Sequence, residues 1–195
     1  PTNRVRFSYR ASGGDIWVGT TAGPVLYKKN SLISANETGS VSGSAADSYI
    51  PTAFSSDSGL PNLFILCAVE DQTGKIWLGT DGGGLSVYDG SSFKTYTTAD
   101  NISGNVVFRV LPDSEGRLWV CTSEGLSLYQ NGIFYRVDSA AGLSGESVFE
   151  ILQDSSGRLW ITTGRKVVLA SADELSSAVI QGYVHANVRS YDRLD

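Results

Sequence analysis

Short runs of alternating apolar and polar residues recur along this chain, each bounded by glycine, aspartate, asparagine or serine. Alternation with period two is the mark of a half-buried β-strand; an amphipathic helix would space its apolar residues three and four apart. The clearest stretch predicts four strands, at 106–111, 118–122, 126–130 and 133–137. Its first two strands are joined by Asp113-Ser114-Glu115-Gly116, and the pattern returns as Asp71-Gln72-Thr73-Gly74 and Asp154-Ser155-Ser156-Gly157. Aspartate accepts backbone N–H groups at the start of such a turn, and glycine supplies the positive φ at its exit. Asp89-Gly90 and Asn131-Gly132 are hairpin signals between later strands. Towards the C-terminus the pattern changes: 171–178 reads as a short helix, and 185–191 as an outer strand.

The strands are organised by internal repetition. Four segments align without gaps: GGDIWVGT (13–20), TGKIWLGT (73–80), EGRLWVCT (115–122) and SGRLWITT (156–163). Their tryptophans, Trp17, Trp77, Trp119 and Trp160, lie 60, 42 and 41 residues apart. Leu60, Ile102 and Leu143 each stand 17 residues before one of the last three. The longer first interval is one repeat plus an insertion, placed in the polar stretch 31–48. A period near 42 residues with four strands per unit predicts an all-β fold of β-propeller blades. A β-sandwich of short strands is the rival. The fixed tryptophan favours blades, since a large ring fills the gap between neighbouring sheets, and all four tryptophans are expected to be buried at equivalent positions. The organisation is a single propeller region, 1–195, with blades at about 4–55, 62–98, 105–138 and 146–195.

Composition narrows the function classes. The net charge of −5 disfavours general nucleic-acid binding, which needs a basic surface to neutralise phosphates. No apolar run is long enough to span a membrane, so membrane association would come only through segments outside this sequence. The chain begins at Pro1 and contains no methionine, so a natural start is expected upstream.

The pattern D-x-x-G-x-[LI]-W-[LVI]-G-T, then G-L-x-x-Y, then an aromatic strand and a further G-L, resembles the two-component regulator propeller repeat. Residues 71–88 and 113–129 carry it most fully. The first copy departs at Ala11, where the turn aspartate belongs, and Cys121 and Thr162 replace the glycine after tryptophan. The resemblance implies the periplasmic or extracytoplasmic sensor part of a bacterial histidine kinase, hybrid regulator or related signalling protein, some members of which respond to carbohydrate fragments. It also implies more than four blades. The ring is therefore expected to be incomplete or a piece of a larger propeller, with 190–195 leading towards a further blade. Open blade edges would then invite self-association.

Candidate chemistry is sparse. His185 is the only histidine and belongs to the expected outer strand, away from the repeat core, which disfavours a Ser-His-Asp site, a histidine-rich metal centre or a lyase of the streptogramin type. The turn aspartates recur once per blade and so cannot converge on one calcium ion. Asp154 stands three residues before Gly157, where the sialidase Asp-box has an aspartate two before. Glu146 and Glu150 are the carboxylates a glycosidase would have to use. Cys67 and Cys121 occupy non-equivalent strands, so buried free thiols are expected rather than a disulfide. No catalytic residue, metal or cofactor is assigned.

Two surfaces remain. Arg109 and Glu150, with Phe7 and Cys67, stand ten residues before the repeat tryptophans. Val107, Val110, Val148 and Ile151 beside them are apolar, so alternation turns Arg109 and Glu150 towards the central channel, as a ligand-facing charged ring or as an ion pair between blades. The second surface comprises the loops between second and third strands, with Asp81, Ser123 and Glu124, and the inter-blade connections, with Asp100, Asn101, Asn105, Ser144 and Glu146. Both loop sets emerge on one face of a propeller and offer hydroxyl-binding groups to a sugar. The expectation is a non-enzymatic ligand-binding sensor module, with a propeller hydrolase or lyase, or a purely structural interaction module, as alternatives.

Overall fold

The computed structural model describes residues 4–30, 48–137, 142–143, 145–182 and 186–192. These form four antiparallel sheets, each a four-stranded meander. The first holds β1 (Val5–Arg10), β2 (Ile16–Thr20), β3 (Gly23–Lys29) and β4 (Tyr49–Ala53). The second holds β5 (Ile65–Glu70), β6 (Ile76–Thr80), β7 (Leu85–Tyr88) and β8 (Phe93–Tyr96). The third holds β9 (Val107–Pro112), β10 (Leu118–Thr122), β11 (Gly125–Gln130) and β12 (Ile133–Arg136). The fourth holds β13 (Val148–Gln153), β14 (Arg158–Thr163), β15 (Lys166–Ser171) and β16 (Val188–Asp192), with helix α1 (Ala172–Gln181) between its last two strands. The strands expected in the third repeat fall within a residue of those observed. The expected helix begins where it should, with Ser171 Oγ capping the Glu174 N–H at 3.4 Å, and runs on until Gly182 closes it in the left-handed conformation. The inserted stretch up to residue 47, together with Ser144 and His185, lies outside the described residues.

Every first strand carries a β-bulge against its neighbour. Register shifts fall between Val5 and Phe7, Ile65 and Cys67, Val107 and Arg109, and Val148 and Glu150. One residue is thereby added per blade (Arg6, Leu66, Phe108 and Phe149), and the strand bends where it approaches the next blade. The first strands meet in chain order, β1 with β5, β5 with β9 and β9 with β13. Among the described residues the first and fourth sheets have no comparable packing, so these sheets form an open arc and not a closed ring.

The core consists of three seams between sheets. One face of each sheet presents the repeat tryptophan, and the next sheet answers with apolar residues of its own second strand. Trp17 and Leu26 meet Ile76 and Leu78; Trp77 and Val87 meet Leu118 and Val120; Trp119 and Leu128 meet Leu159 and Ile161. The landmark residues Leu60, Ile102 and Leu143 seal these clusters and are fully buried. Burial of each such side chain contributes roughly 1.5–3 kcal/mol. In the first two seams a tyrosine of the following blade meets the tryptophan, Tyr88 against Trp17 at 5.4 Å and Tyr129 against Trp77 at 5.1 Å between ring centroids. Ala170 holds the equivalent position in the fourth sheet, and there helix α1 contributes Leu175 to the cluster around Trp119.

The expected burial of all four tryptophans needs one correction. Trp17, Trp77 and Trp119 are at most 2% exposed, whereas Trp160 is 37% exposed. Its position in the sheet is equivalent, but among the described residues no further sheet packs on it, and its ring stacks on Tyr191 of its own sheet at 6.4 Å.

Candidate functional site

Two ends of the blades differ in character, and the repeat builds both. At one end lies the turn between first and second strands. Asp71 Oδ1 accepts the backbone N–H groups of Thr73 (2.8 Å) and Lys75 (3.1 Å), while Oδ2 accepts the indole N–H of Trp77 at 2.7 Å. Asp113 does the same for Glu115, Arg117 and Trp119, and Asp154 for Ser156, Arg158 and Trp160. The carboxylate thus fixes both the turn and the orientation of the tryptophan ring. Trp160 and the neighbouring donors pull the Asp154 pKa down to about 2. Burial would raise that of Asp71, but the hydrogen bonds from Thr73 and Trp77 outweigh it and hold it below the ordinary range. Where Ala11 interrupts the pattern, Ser12 Oγ instead donates to Glu70 Oε1 of the next blade at 2.8 Å.

The other end is the loop face, where the two loop sets do come together. Gly84 N donates to Asn105 O at 2.8 Å, Asn62 Nδ2 to Asp81 O at 2.6 Å, and Ser147 Oγ to Ser123 O at 2.8 Å. The threonine three residues after each tryptophan organises this face, a role that the sequence motif contains but does not announce. Thr20, Thr80 and Thr122 donate to the carbonyls of Gly23, Gly84 and Gly125 at 2.7–2.8 Å, and Thr163 to that of Lys166 at 3.2 Å.

Several of the anticipated site residues serve the scaffold. Asp100 Oδ2 caps Thr97 N at 2.9 Å, Asn105 Oδ1 accepts from Thr98 N at 2.9 Å, and Asn101 Nδ2 reaches Phe134 O at 2.9 Å. Glu146 pairs with Lys166 at 3.4 Å, and its carboxyl is held below the ordinary glutamate range chiefly by a Thr163 hydrogen bond. Asp81 and Glu124 are exposed. Arg109 and Glu150 do meet, as an ion pair of 3.0 Å across the third seam, each about half exposed. Beside them Phe108 and Phe149 bring their rings to 5.2 Å.

Sequence reasoning missed one concavity. A cleft of about 620 Å³ opens where the first and second sheets meet, lined by Arg4, Val5, Arg6, Thr21, Phe64, Ile65 and Leu66. The Arg6 guanidinium lies 3.8 Å above the centre of the Phe64 ring. Asp81 N donates to Phe64 O at 2.9 Å, so the cleft borders the loop face. Its signal is hidden because Arg6 is the bulge residue, whose direction alternation cannot give.

Cys67 and Cys121 are both free and buried. Burial pushes the Cys67 thiol up to about 11 and that of Cys121 well above its ordinary value, so neither is a ready nucleophile. Among the described residues no cluster of three or more His, Cys, Asp or Glu side chains is placed to hold a metal ion. No helix among them is long and apolar enough to cross a membrane.

The two component regulator propeller family matches residues 59–82, 101–124 and 142–165, each running from the G-L landmark through the tryptophan strand into the loop face. A comparison with curated proteins yields no match. Among solved structures, the chain is similar to the extracellular domain of BT3049, assigned as a hybrid two component system of B. thetaiotaomicron (TM-score 0.70, 20% identity). The match covers 97% of this chain and 23% of that one. PorZ, a surface component of the type-IX secretion system of Porphyromonas gingivalis, aligns with TM-score 0.61 and 12% identity over 89% of this chain and 21% of its own. A virginiamycin B lyase from Staphylococcus aureus aligns with TM-score 0.62 and 10% identity over 97% and 56%. At these identities the likeness is one of fold, and the chain spans about a quarter or less of the first two. With three repeats matched in sequence and four sheets in one arc, the chain carries two component regulator propeller repeats on a propeller-type fold.

Proposed function

We propose that this chain is a non-catalytic, extracytoplasmic sensing segment, periplasmic in a Gram-negative cell, that binds a neutral or cationic carbohydrate on its loop face. The observation that carries the proposal is the loop-face cleft. It sets the Phe64 ring, with the Arg6 guanidinium stacked on it, and the side chains of Thr21 and Arg4 next to the loop that begins at Asp81. Sugars are held by such a mixture of polar and aromatic groups, with planar guanidinium groups on hydroxyl pairs. The wider face adds Ser123 and Glu124, and the overall charge of −5 opposes polyanions. Asp100 and Asn101 hold the connecting turn in shape, and the Arg109–Glu150 pair ties two blades at the channel. Ligand binding across a seam would alter the angle between blades, and so the geometry passed to an output domain.

Calorimetry against a panel of neutral and aminated oligosaccharides tests the binding. A hit is expected to weaken at least tenfold when Arg4, Arg6 and Asp81 are replaced together by alanine. Absence of any hit, or a hit indifferent to that triple change, contradicts the site. Single-turnover assays with glycosides and lactones test the other half. Turnover abolished by Glu146→Gln or Glu150→Gln would put the chain among the enzymes.

A further inference from the structure

The first repeat keeps the turn of its sisters but lacks the carboxylate that holds theirs. Its backbone bonds are the same: Ala11 N donates to Asp15 O at 2.8 Å and Gly14 N to Ala11 O at 2.9 Å, as Asp71 N does to Lys75 O at 2.9 Å and Gly74 N to Asp71 O at 3.0 Å. Trp17 is held as Trp77 is. It stacks on Phe54 at 9° and meets Tyr88 at 68°, where Trp77 stacks on Tyr96 at 17° and meets Tyr129 at 58°. In the second repeat Asp71 takes the backbone N–H groups two and four residues on and the indole N–H six residues on. The equivalent donors in the first repeat are Gly13 N, Asp15 N and Trp17 Nε1, and none of them has an acceptor among the described residues. Trp17 is 2% exposed, so its indole N–H has little access to bulk water, and a buried donor without a partner is costly.

All three donor residues line a pocket of about 160 Å³ in the seam between the first and second sheets, together with Ala11, Tyr88, Glu70 and Asp89. The Glu70 carboxylate is engaged by Ser12, whose N–H and hydroxyl it accepts at 2.5 and 2.8 Å, and so does not replace the turn aspartate. Asp15 Oδ1 accepts Lys29 N at 2.7 Å, and Asp89 Oδ1 accepts Ser91 N and Ser92 N. The donors call for a carboxylate, while three acidic side chains on the wall repel a bare anion and favour a cation beside it. We infer that this pocket binds a small zwitterion of the α-amino acid class. The ligand carboxylate takes the position that the aspartate side chain holds in the other turns, on Gly13 N, Asp15 N and Trp17 Nε1. Its ammonium group faces Glu70 and Asp89, beside the Trp17 and Tyr88 rings. The volume is below the roughly 300 Å³ at which pockets for drug-sized ligands begin, so the ligand is compact. The site lies at the turn end of the blades, away from the loop face, and does not rest on the carbohydrate reading.

The test is calorimetry and heteronuclear NMR of the indole N–H groups on the 195-residue chain, with L-alanine as the probe. Trp17→Phe keeps an aromatic ring, removes the N–H and identifies the Trp17 signal among the four indoles. That signal is expected to move downfield as alanine is added, while the indoles of Trp77, Trp119 and Trp160, already bonded to aspartates, stay in place. Affinity for alanine should fall about tenfold in Trp17→Phe, the loss of one hydrogen bond to a charged group, at unchanged circular dichroism. Ala11→Asp supplies the carboxylate from within the chain, so it should abolish binding and raise the melting temperature. Acetate and ethylammonium each carry half of the ligand and should bind at least tenfold more weakly than alanine. A Trp17 signal that does not respond to alanine at tens of millimolar overturns the inference. So does binding that survives Ala11→Asp, an affinity indifferent to Trp17→Phe, or acetate or ethylammonium binding as tightly as alanine.

Discussion

Asp113 answers three demands with one carboxylate. It closes the turn onto Glu115 and Arg117, it orients Trp119, and it pairs with the buried Arg117 side chain, which also reaches Asp173 at 2.7 Å. Burial alone would lower the Arg117 pKa, but Asp113 and Asp173 outweigh it and keep it charged. Asp113→Ala should therefore cost about 3 kcal/mol in urea unfolding, because a buried guanidinium and an indole N–H lose their partner together. Asp154 makes the same bonds at the surface, and its loss should be felt mainly through pH. Its folded-state pKa of about 2 lies below the ordinary aspartate value of about 3.9. Its contribution is therefore present above about pH 4 and fades as pH falls towards 2. Asp154→Asn should flatten the melting temperature over that window, and an unchanged acid slope would contradict the assignment. The Asp-x-x-Gly spacing made the turns legible, but not the bond to the indole, which depends on how a hairpin folds the chain back over six residues. The departures Cys121 and Thr162 have a related explanation. Gly19 and Gly79 lie opposite Phe7 and Cys67, which leave no room for a Cβ: one at Gly79 would sit 2.6 Å from Cys67 Sγ and 2.7 Å from Val107 O. Opposite Arg109 and Glu150, whose side chains extend towards each other, Cys121 and Thr162 fit.

Helix α1 shows an element taking over a residue's task. The fourth repeat has Ala170 where its predecessors have a tyrosine, and the chain then leaves the sheet for ten helical residues. Leu175 joins the cluster around Trp119, Ser176 Oγ meets Gln130 Oε1 at 3.0 Å, and Asp173 reaches Arg117. Leu175→Ala is expected to cost about 3 kcal/mol, the range for opening a cavity in a closed core. Denaturant titration checks this, and a loss within 0.5 kcal/mol would mean that the helix merely decorates the sheet. Its existence and its start at Ser171 were legible from the cap and the apolar spacing. Its role was not, because the missing tyrosine is informative only once the seam geometry is known. The bulges escaped for a similar reason: strict alternation in the first strands gives no sign of an extra residue, and the Arg6 cleft went unseen with it.

At the scale of the molecule, four copies of one meander stack through one kind of seam. The blade class was legible because Trp17, Trp77, Trp119 and Trp160 recur with the same local motif. The burial of Trp160 was not, because it depends on a neighbour rather than on the repeat itself. The candidate site was legible only as a face: loops could be assigned to it, but which polar side chains hold the scaffold, as Asp100 and Asn105 do, emerged only from their hydrogen bonds. Seam stacking underlies the fold and the proposed coupling of ligand to blade angle. A double-mutant cycle of Trp77→Leu and Tyr129→Leu, read by equilibrium unfolding, tests it most directly. The two residues belong to different sheets with ring centroids 5.1 Å apart, and their coupling should be about 1 kcal/mol. Trp77→Leu with Tyr27→Leu, on a face turned away from that seam, should be additive. Additivity for Trp77 and Tyr129, or coupling of the same size for Trp77 and Tyr27, would contradict the stacked-blade account.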